Sequence, residues 1–135
     1  MTKLQAQREL IFRFLLSPIF IVGGAVHFFA HDHMLGRLHQ SPWLEQVMWL
    51  GSPSLLIYLS GFVLCAGGIS LLLGWLIRLT ALVLFVTLVP ITLSMHIAPG
   101  HMGPLLKNVA ILGALLHFYW QGAGLYSLDA RRSGS

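Results

Sequence analysis

Four long stretches of the chain are apolar on every face, and short polar segments separate them. A helix needs roughly 20 apolar residues to cross the hydrocarbon core of a bilayer. Residues 54–77 meet this length, and before Arg78 they contain no charged residue and no polar stripe of the kind that a helix in water shows. The pattern predicts an all-α membrane protein, a bundle of four transmembrane helices with spans at about residues 10–30, 54–77, 79–97 and 105–121.

The connections between these spans predict different local structures. Between the first two spans, Ser41 and Pro42 form a helix-start signal, and tryptophans that suit a membrane interface follow. We expect a short interfacial helix here, with Ser41 as its N-cap and Pro42 at its first position. Arg78 alone separates the second and third spans, so we expect a tight turn at Arg78 between two antiparallel helices.

Composition agrees with a membrane environment. Of the 135 residues, 56% are hydrophobic and 9% are charged, whereas about 25% are charged in an average soluble domain. The length predicts a single domain over residues 1–135. Because the basic residues are scattered at the ends of spans, we expect the partner to be a lipid bilayer and not nucleic acid. A single cysteine excludes a disulfide framework.

Basic residues are distributed unequally between the two sides that four spans define. Lysine and arginine are enriched in the cytoplasmic segments of membrane proteins. The side away from the termini carries only Arg37 and Lys107. We therefore expect both termini in the cytoplasm, at a bacterial-type inner membrane, and we expect Arg13 to extend from the first span to the headgroups. The side of the termini carries Lys3, Arg8, Arg13, Arg78, Arg131 and Arg132.

Seven histidines against four acidic residues are the main chemical signal. Neutral imidazole ligates metal ions and haem iron, and it hydrogen-bonds to quinones. His27 and His96 come from the ends of the first and third spans, on the outer side of the predicted topology. They are the candidate pair for a cofactor, either a quinone or a haem. The candidate ligands of a metal ion are His31, His33 and His101.

A simpler interpretation of the histidines stays open. Imidazole suits the headgroup region of a bilayer, where it bonds to water and to helix ends without any cofactor. His117 lies inside the fourth span, where an ionisable group indicates function; the structural alternative is a neutral ring bonded to a serine or a carbonyl. The sequence contains no catalytic motif that identifies the chain as an enzyme or excludes it.

Two stretches resemble a known family. Residues 107–113 (KNVAILG), followed by Gly122, Gly124 and the sequence YSLD at 126–129, resemble the C-terminal signature of the DoxX family. Residues 67–81 resemble that family's second span and the arginine turn after it. The resemblance implies a small four-span bundle that is similar to the small subunits of thiosulfate:quinone oxidoreductase.

The tail also has a physical interpretation of its own. Gly122 and Gly124 permit positive φ and predict the end of the last helix. Asp129 is expected either to accept backbone N–H bonds or to pair with Arg78. All four residues are therefore predicted to be structural.

Two hypotheses for the function follow. The first is an integral membrane subunit of redox or quinone-linked electron transfer, which uses the outer histidines as its cofactor or quinone site. The second is a non-catalytic scaffold or assembly subunit. It would pack through the glycine faces of its helices, including Gly67, Gly68 and Gly74, against itself or a larger membrane complex.

Overall fold

A computed structural model describes residues 1–96 and 100–134 of the chain. Four of its helices are long and apolar enough to cross a membrane, which confirms the predicted all-α bundle of four transmembrane helices. The predicted end of the third span, at Ile97, lies outside the described residues. The helices are α1 (Lys3–Phe29), α2 (His31–His39), α3 (Leu44–Leu50), α4 (Pro53–Leu73), α5 (Ile77–His96), α6 (Met102–Gln121) and α7 (Leu128–Ser133).

The connection between α1 and α4 holds two short helices, α2 and α3, where one was predicted. Trp43 is the N-cap residue of α3, and the helix begins at Leu44. The hydroxyl of Ser41 accepts a hydrogen bond from the Trp43 N–H at 3.2 Å. The prediction of Ser41 as the N-cap was therefore wrong, because Ser41 stabilises a turn that precedes the helix.

Helices α1 and α4 pack closely because glycines remove the side chains where the two backbones meet. A Cβ atom on Gly24 would lie 2.7 Å from the Gly61 carbonyl oxygen. A Cβ atom on Gly61 would lie 2.6 Å from the Cβ of His27. Glycine at both positions therefore lets His27 lie directly against α4.

The three glycines that the scaffold hypothesis assigned to a partner all face residues of the same chain. Gly68 faces α1, Gly67 faces the side chain of Leu84 on α5, and Gly74 faces Arg13. The space beside each of them is thus filled within one bundle.

The hydrophobic core lies between the four long helices, where Leu71, Leu84, Leu115 and Phe118 are fully buried. Large apolar side chains also cover much of the outer surface, and Trp120 is 70% exposed. An apolar exterior of this kind is what four helices in contact with lipid require.

Arg13 of α1 is the largest fully buried side chain among the described residues. Its guanidinium donates hydrogen bonds to the carbonyl oxygens of Leu72, at 3.3 Å, and of Tyr126. One cation thereby joins α1, the last turn of α4 and the C-terminal tail. The expectation that Arg13 extends to the headgroups was wrong, because the side chain is 1% exposed and bonds inward.

The turn between α4 and α5 is formed by residues 74–76. Gly74 ends α4 in the left-handed conformation, with φ +68°, and a Cβ atom there would overlap the Arg13 guanidinium. The prediction of Arg78 as the turn residue was wrong, because α5 begins at Ile77 and includes Arg78.

Asp129 of the tail binds the N-terminus of α5. Its two carboxylate oxygens accept the N–H groups of Leu76, at 2.7 Å, and Ile77, at 2.9 Å. A negative charge at this position is also favoured by the helix dipole. Of the two predicted roles, the structure therefore shows the backbone bonds, whereas Arg78 donates to the Trp120 carbonyl at 3.5 Å.

Two glycines lead the chain from α6 into the tail. Gly122 and Gly124 have φ of +84° and +77°, conformations that other residues rarely adopt. After this turn, the Tyr126 carbonyl reaches Arg13, and the Ser127 hydroxyl caps α7.

Gly24→Ala is expected to lower the unfolding temperature, whereas Gly23→Ala is not. A Cβ atom at Gly24 would lie within 3.0 Å of backbone atoms of α4, but one at Gly23 meets nothing within 4 Å. Overpacking of this kind costs about 1–3 kcal/mol, and the matched control contains the same gain in helix propensity. Thermal unfolding in one detergent measures the difference, and equal temperatures for the two variants would contradict the described packing.

Asp129→Ala is expected to destabilise the protein by about 1–2 kcal/mol, because it removes the cap of α5. Arg78→Ala should change stability by about 0.5 kcal/mol or less, since its described bond is long and on the surface. Denaturant unfolding of both variants tests this ranking. A larger loss for Arg78→Ala than for Asp129→Ala would restore the predicted role of Arg78.

Candidate functional site

The two histidines of the predicted cofactor pair lie at the same end of the bundle. Helices α1 and α5 end, and α4 and α6 begin, at one end, here termed the distal end because both termini lie at the other. His27 and His96 are in the last turns of α1 and α5, respectively. The antiparallel order of the helices therefore brings both residues to the distal end.

A cavity of about 310 Å³, termed the distal cavity, lies between α1, α4, α5 and α6. His27 and His96 both line it, together with Lys107 and Asn108 at the start of α6. The rest of the lining is apolar and includes Leu64. Apolar walls with a few convergent polar groups are typical of sites that bind small molecules.

His27 is buried and oriented by α4. Its Nδ1 lies 3.1 Å from the Ile57 carbonyl oxygen and 2.9 Å from the Ser60 Oγ. A carbonyl oxygen only accepts hydrogen bonds, so Nδ1 carries the proton and Nε2 is an acceptor in the neutral ring. Among the described residues, each hydrogen bond of His27 uses Nδ1, which leaves Nε2 for a ligand.

His96 and Asn108 complete the polar part of the lining. The Nδ1 atom of His96 is buried and has no hydrogen-bond partner within residues 1–96 and 100–134. Asn108 is 4% exposed and donates to the Thr92 hydroxyl at 3.0 Å, which holds α6 to α5 beside the cavity. The Nδ1 atom of His96 is enclosed by protein atoms, so it is the rest of the His96 ring that lines the cavity.

A second and smaller cavity, of about 160 Å³, lies beneath α2 and α3. His27 and Ser60 contribute to its lining, and Leu38 of α2 and Val47 of α3 cover it. The two short helices thus close the bundle on the α4 side of His27.

His31 lies outside both cavities. Its Nε2 is 2.9 Å from the Ser54 hydroxyl, and its ring lies against Tyr58 with centroids 4.1 Å apart. These contacts join α2 to the first turns of α4. They match the structural interpretation of an interfacial histidine.

The other two candidate metal ligands occupy separate places. His33 is exposed, and the Nε2 of His101 lies 3.5 Å from the guanidinium of Arg37. In the part of the chain that the structure describes, no group of three or more His, Cys, Asp or Glu residues is arranged to hold a metal ion. The metal role of His31, His33 and His101 therefore stays a prediction.

Sequence reasoning missed Glu9, which pairs with His117 at the end of the bundle that holds the termini. Both carboxylate oxygens of Glu9 lie 3.1 Å from His117 Nε2. The structural alternative for His117, a bond to a serine or a carbonyl, was therefore wrong in its partner. A signal was present, because polar or small residues lie three, four or seven positions apart on one face of α1, at Glu9, Arg13, Ser17, Gly24 and His27, and all of them are buried.

A family model described as DoxX matches residues 9–97, which is more than half of the chain. No curated protein and no solved structure gives a match. The matched range includes residues 67–81, whereas the tail signature at 107–129 lies beyond it. Members of this family are small multi-span membrane proteins, in agreement with the four apolar helices. The chain belongs to the DoxX family.

Proposed function

We propose that this integral membrane protein is a redox-associated subunit that binds a quinone in the distal cavity. One observation carries the proposal: His27 and His96, from two different spans, line the same largely apolar cavity. Apolar walls suit the ring of a quinone or a quinol, and the imidazole of His27 can accept a hydrogen bond from a quinol hydroxyl.

The available hydrogen-bonding atoms fit both redox forms of such a ligand. The hydroxyl groups of a quinol donate, and the Nε2 of His27 accepts. The carbonyl groups of a quinone accept, and the ammonium of Lys107 donates. When bound, a quinone supplies two-electron redox chemistry, while the residues of this chain bind and orient its ring and exclude water from it.

A quinone site exchanges electrons with another redox centre. We place that centre on a partner subunit of a larger membrane complex, as the resemblance to small subunits of thiosulfate:quinone oxidoreductase suggests. The alternative function is a non-catalytic scaffold. It has to use surfaces other than Gly67, Gly68 and Gly74, because those glycines face residues of their own chain.

We propose a bacterial-type inner membrane as the location, and the charge distribution supports an orientation with both termini in the cytoplasm. We expect a fluorescent protein fused after Ser135 to fluoresce in cells and alkaline phosphatase at the same position to be inactive. Insertion of each reporter at Gly36, between the first two spans, should give the opposite pair of results. An active phosphatase fused to the C-terminus would contradict the orientation.

The binding test compares wild-type protein in lipid nanodiscs with His27→Leu and His96→Leu, using decylubiquinone and decylubiquinol as probes in calorimetric titrations. Each variant should weaken decylubiquinol binding about tenfold, the cost of roughly one hydrogen bond. His33→Ala changes an exposed histidine and should leave affinity unchanged. Unfolding temperatures check that each variant is folded, and equal affinities for wild type, His27→Leu and His96→Leu would contradict the proposal.

Spectra of the same samples separate the other ligands. We would record oxidised and dithionite-reduced absorption spectra of wild type and analyse its metal content. A Soret band or a stoichiometric metal that disappears in His27→Leu or His96→Leu would replace the quinone by a haem or a metal ion. No probe binding, no Soret band and no metal would favour the scaffold.

A further inference from the structure

Helices α1 and α6 form a seam along one side of the bundle. Backbone contacts are close between α1 and α4 and between α5 and α6, whereas α1 and α6 approach each other at few positions. At the end that holds the termini, the Glu9–His117 pair bridges the seam, and the ring of Phe12 lies 4.9 Å from that of Phe118. Toward the distal end, open space lies along the seam.

This open space includes a groove of about 510 Å³, termed the seam groove. Its middle is apolar and is lined by Leu16 on α1 and by Ala110 and Ala114 on α6, while Phe12 lies beside His117 at the end near the termini. Its polar lining residues lie at the two ends, His117 near the termini and Lys107 near the distal cavity.

The seam groove adjoins the distal cavity. Lys107 and Ile111 line both of them, so a molecule can contact the groove and the cavity at once. An amphiphile with a polar ring and a hydrocarbon tail matches this order of surfaces. The tail would lie along residues that belong to membrane-spanning helices, on the side where the bundle faces lipid.

Glycine keeps both spaces open. A Cβ atom on Gly113, in the seam groove, meets nothing within 4 Å, and the same holds for Gly23 in the distal cavity. Larger side chains at either position would enter the open space without a clash of the Cβ atom. The groove can therefore be filled by substitution without disturbing the helix contacts.

We infer that the α1–α6 seam is the entrance from the membrane to the distal cavity and that the seam groove binds the hydrocarbon tail of the quinone. This inference rests on the proposed function, because the ring has to occupy the distal cavity. The seam groove is long enough to hold part of a hydrocarbon tail, since residues 108–117 of α6 extend about 14 Å at 1.5 Å per residue. The groove thus covers the first part of a long tail, and the remainder lies in lipid.

The experiment uses two probes, decylubiquinone and the tail-less ubiquinone-0, with wild type, Gly113→Leu and Gly103→Leu in nanodiscs. Gly103 is a matched control, because it is also on α6, its Cβ atom also meets nothing within 4 Å, and it does not line the groove. Gly113→Leu should weaken decylubiquinone binding at least tenfold and leave ubiquinone-0 binding unchanged. Gly103→Leu should change neither.

Other outcomes overturn the inference. Unchanged decylubiquinone affinity in Gly113→Leu would show that the tail lies elsewhere, and equal losses for both probes would show an effect on the cavity instead of on the tail. If Gly113→Leu displaces a phospholipid in native mass spectrometry but leaves decylubiquinone binding intact, the groove holds a lipid chain. Failure of both probes to bind wild type would overturn the proposed function itself and this inference with it.

Discussion

The buried guanidinium of Arg13 is the constraint on which the termini end of the bundle depends. A cation inside a membrane protein is costly unless its donors are bonded. Arg13 bonds its two terminal nitrogens to the carbonyls of Leu72 and Tyr126, whereas its buried Nε has no partner among the described residues. Both partners are backbone groups, so the arginine fixes the chain itself and not only a side chain. Gly74 has to lack a Cβ atom to make room for it, and the tail has to fold back over the turn between α4 and α5.

Arg13 and the candidate site are connected by α1, because Arg13 lies toward one end of this helix and His27 lies toward the other. Arg13 and His27 are fourteen positions apart, about 21 Å along a helix and close to four whole turns, and both are buried. With Arg13 bound at one end, Gly24 lies against Gly61, and His27 lies beside Ile57 and Ser60. The bonds of His27 to α4 then leave its Nε2 as the atom that can receive a ligand. Arg13, Gly24 and His27 thus follow one another along one buried face of α1.

The sequence alone was enough to predict the four spans, because a long apolar helix satisfies its own backbone hydrogen bonds in lipid. It also sufficed to place His27 and His96 at the same end of the bundle, since the first and third spans of an antiparallel bundle end on the same side. Their role in binding stays a prediction. The sequence was not enough to predict the bonds of Arg13, because one of the two carbonyls that bind it belongs to Tyr126, more than a hundred positions along the chain. The pairing of Glu9 with His117 escaped for the same reason. The two roles of Asp129 could be separated only when the fold placed it beside the N-terminus of α5.

The central claim is that a quinone ring occupies the distal cavity, and photoaffinity labelling tests it most directly. An azidoquinone would be activated on the wild-type protein in nanodiscs, and the labelled peptides would be identified by mass spectrometry. The account predicts labels in residues 19–27 of α1 and 107–111 of α6, which disappear when excess decylubiquinone competes. Labels that scatter over the lipid-facing surface and resist competition would contradict it.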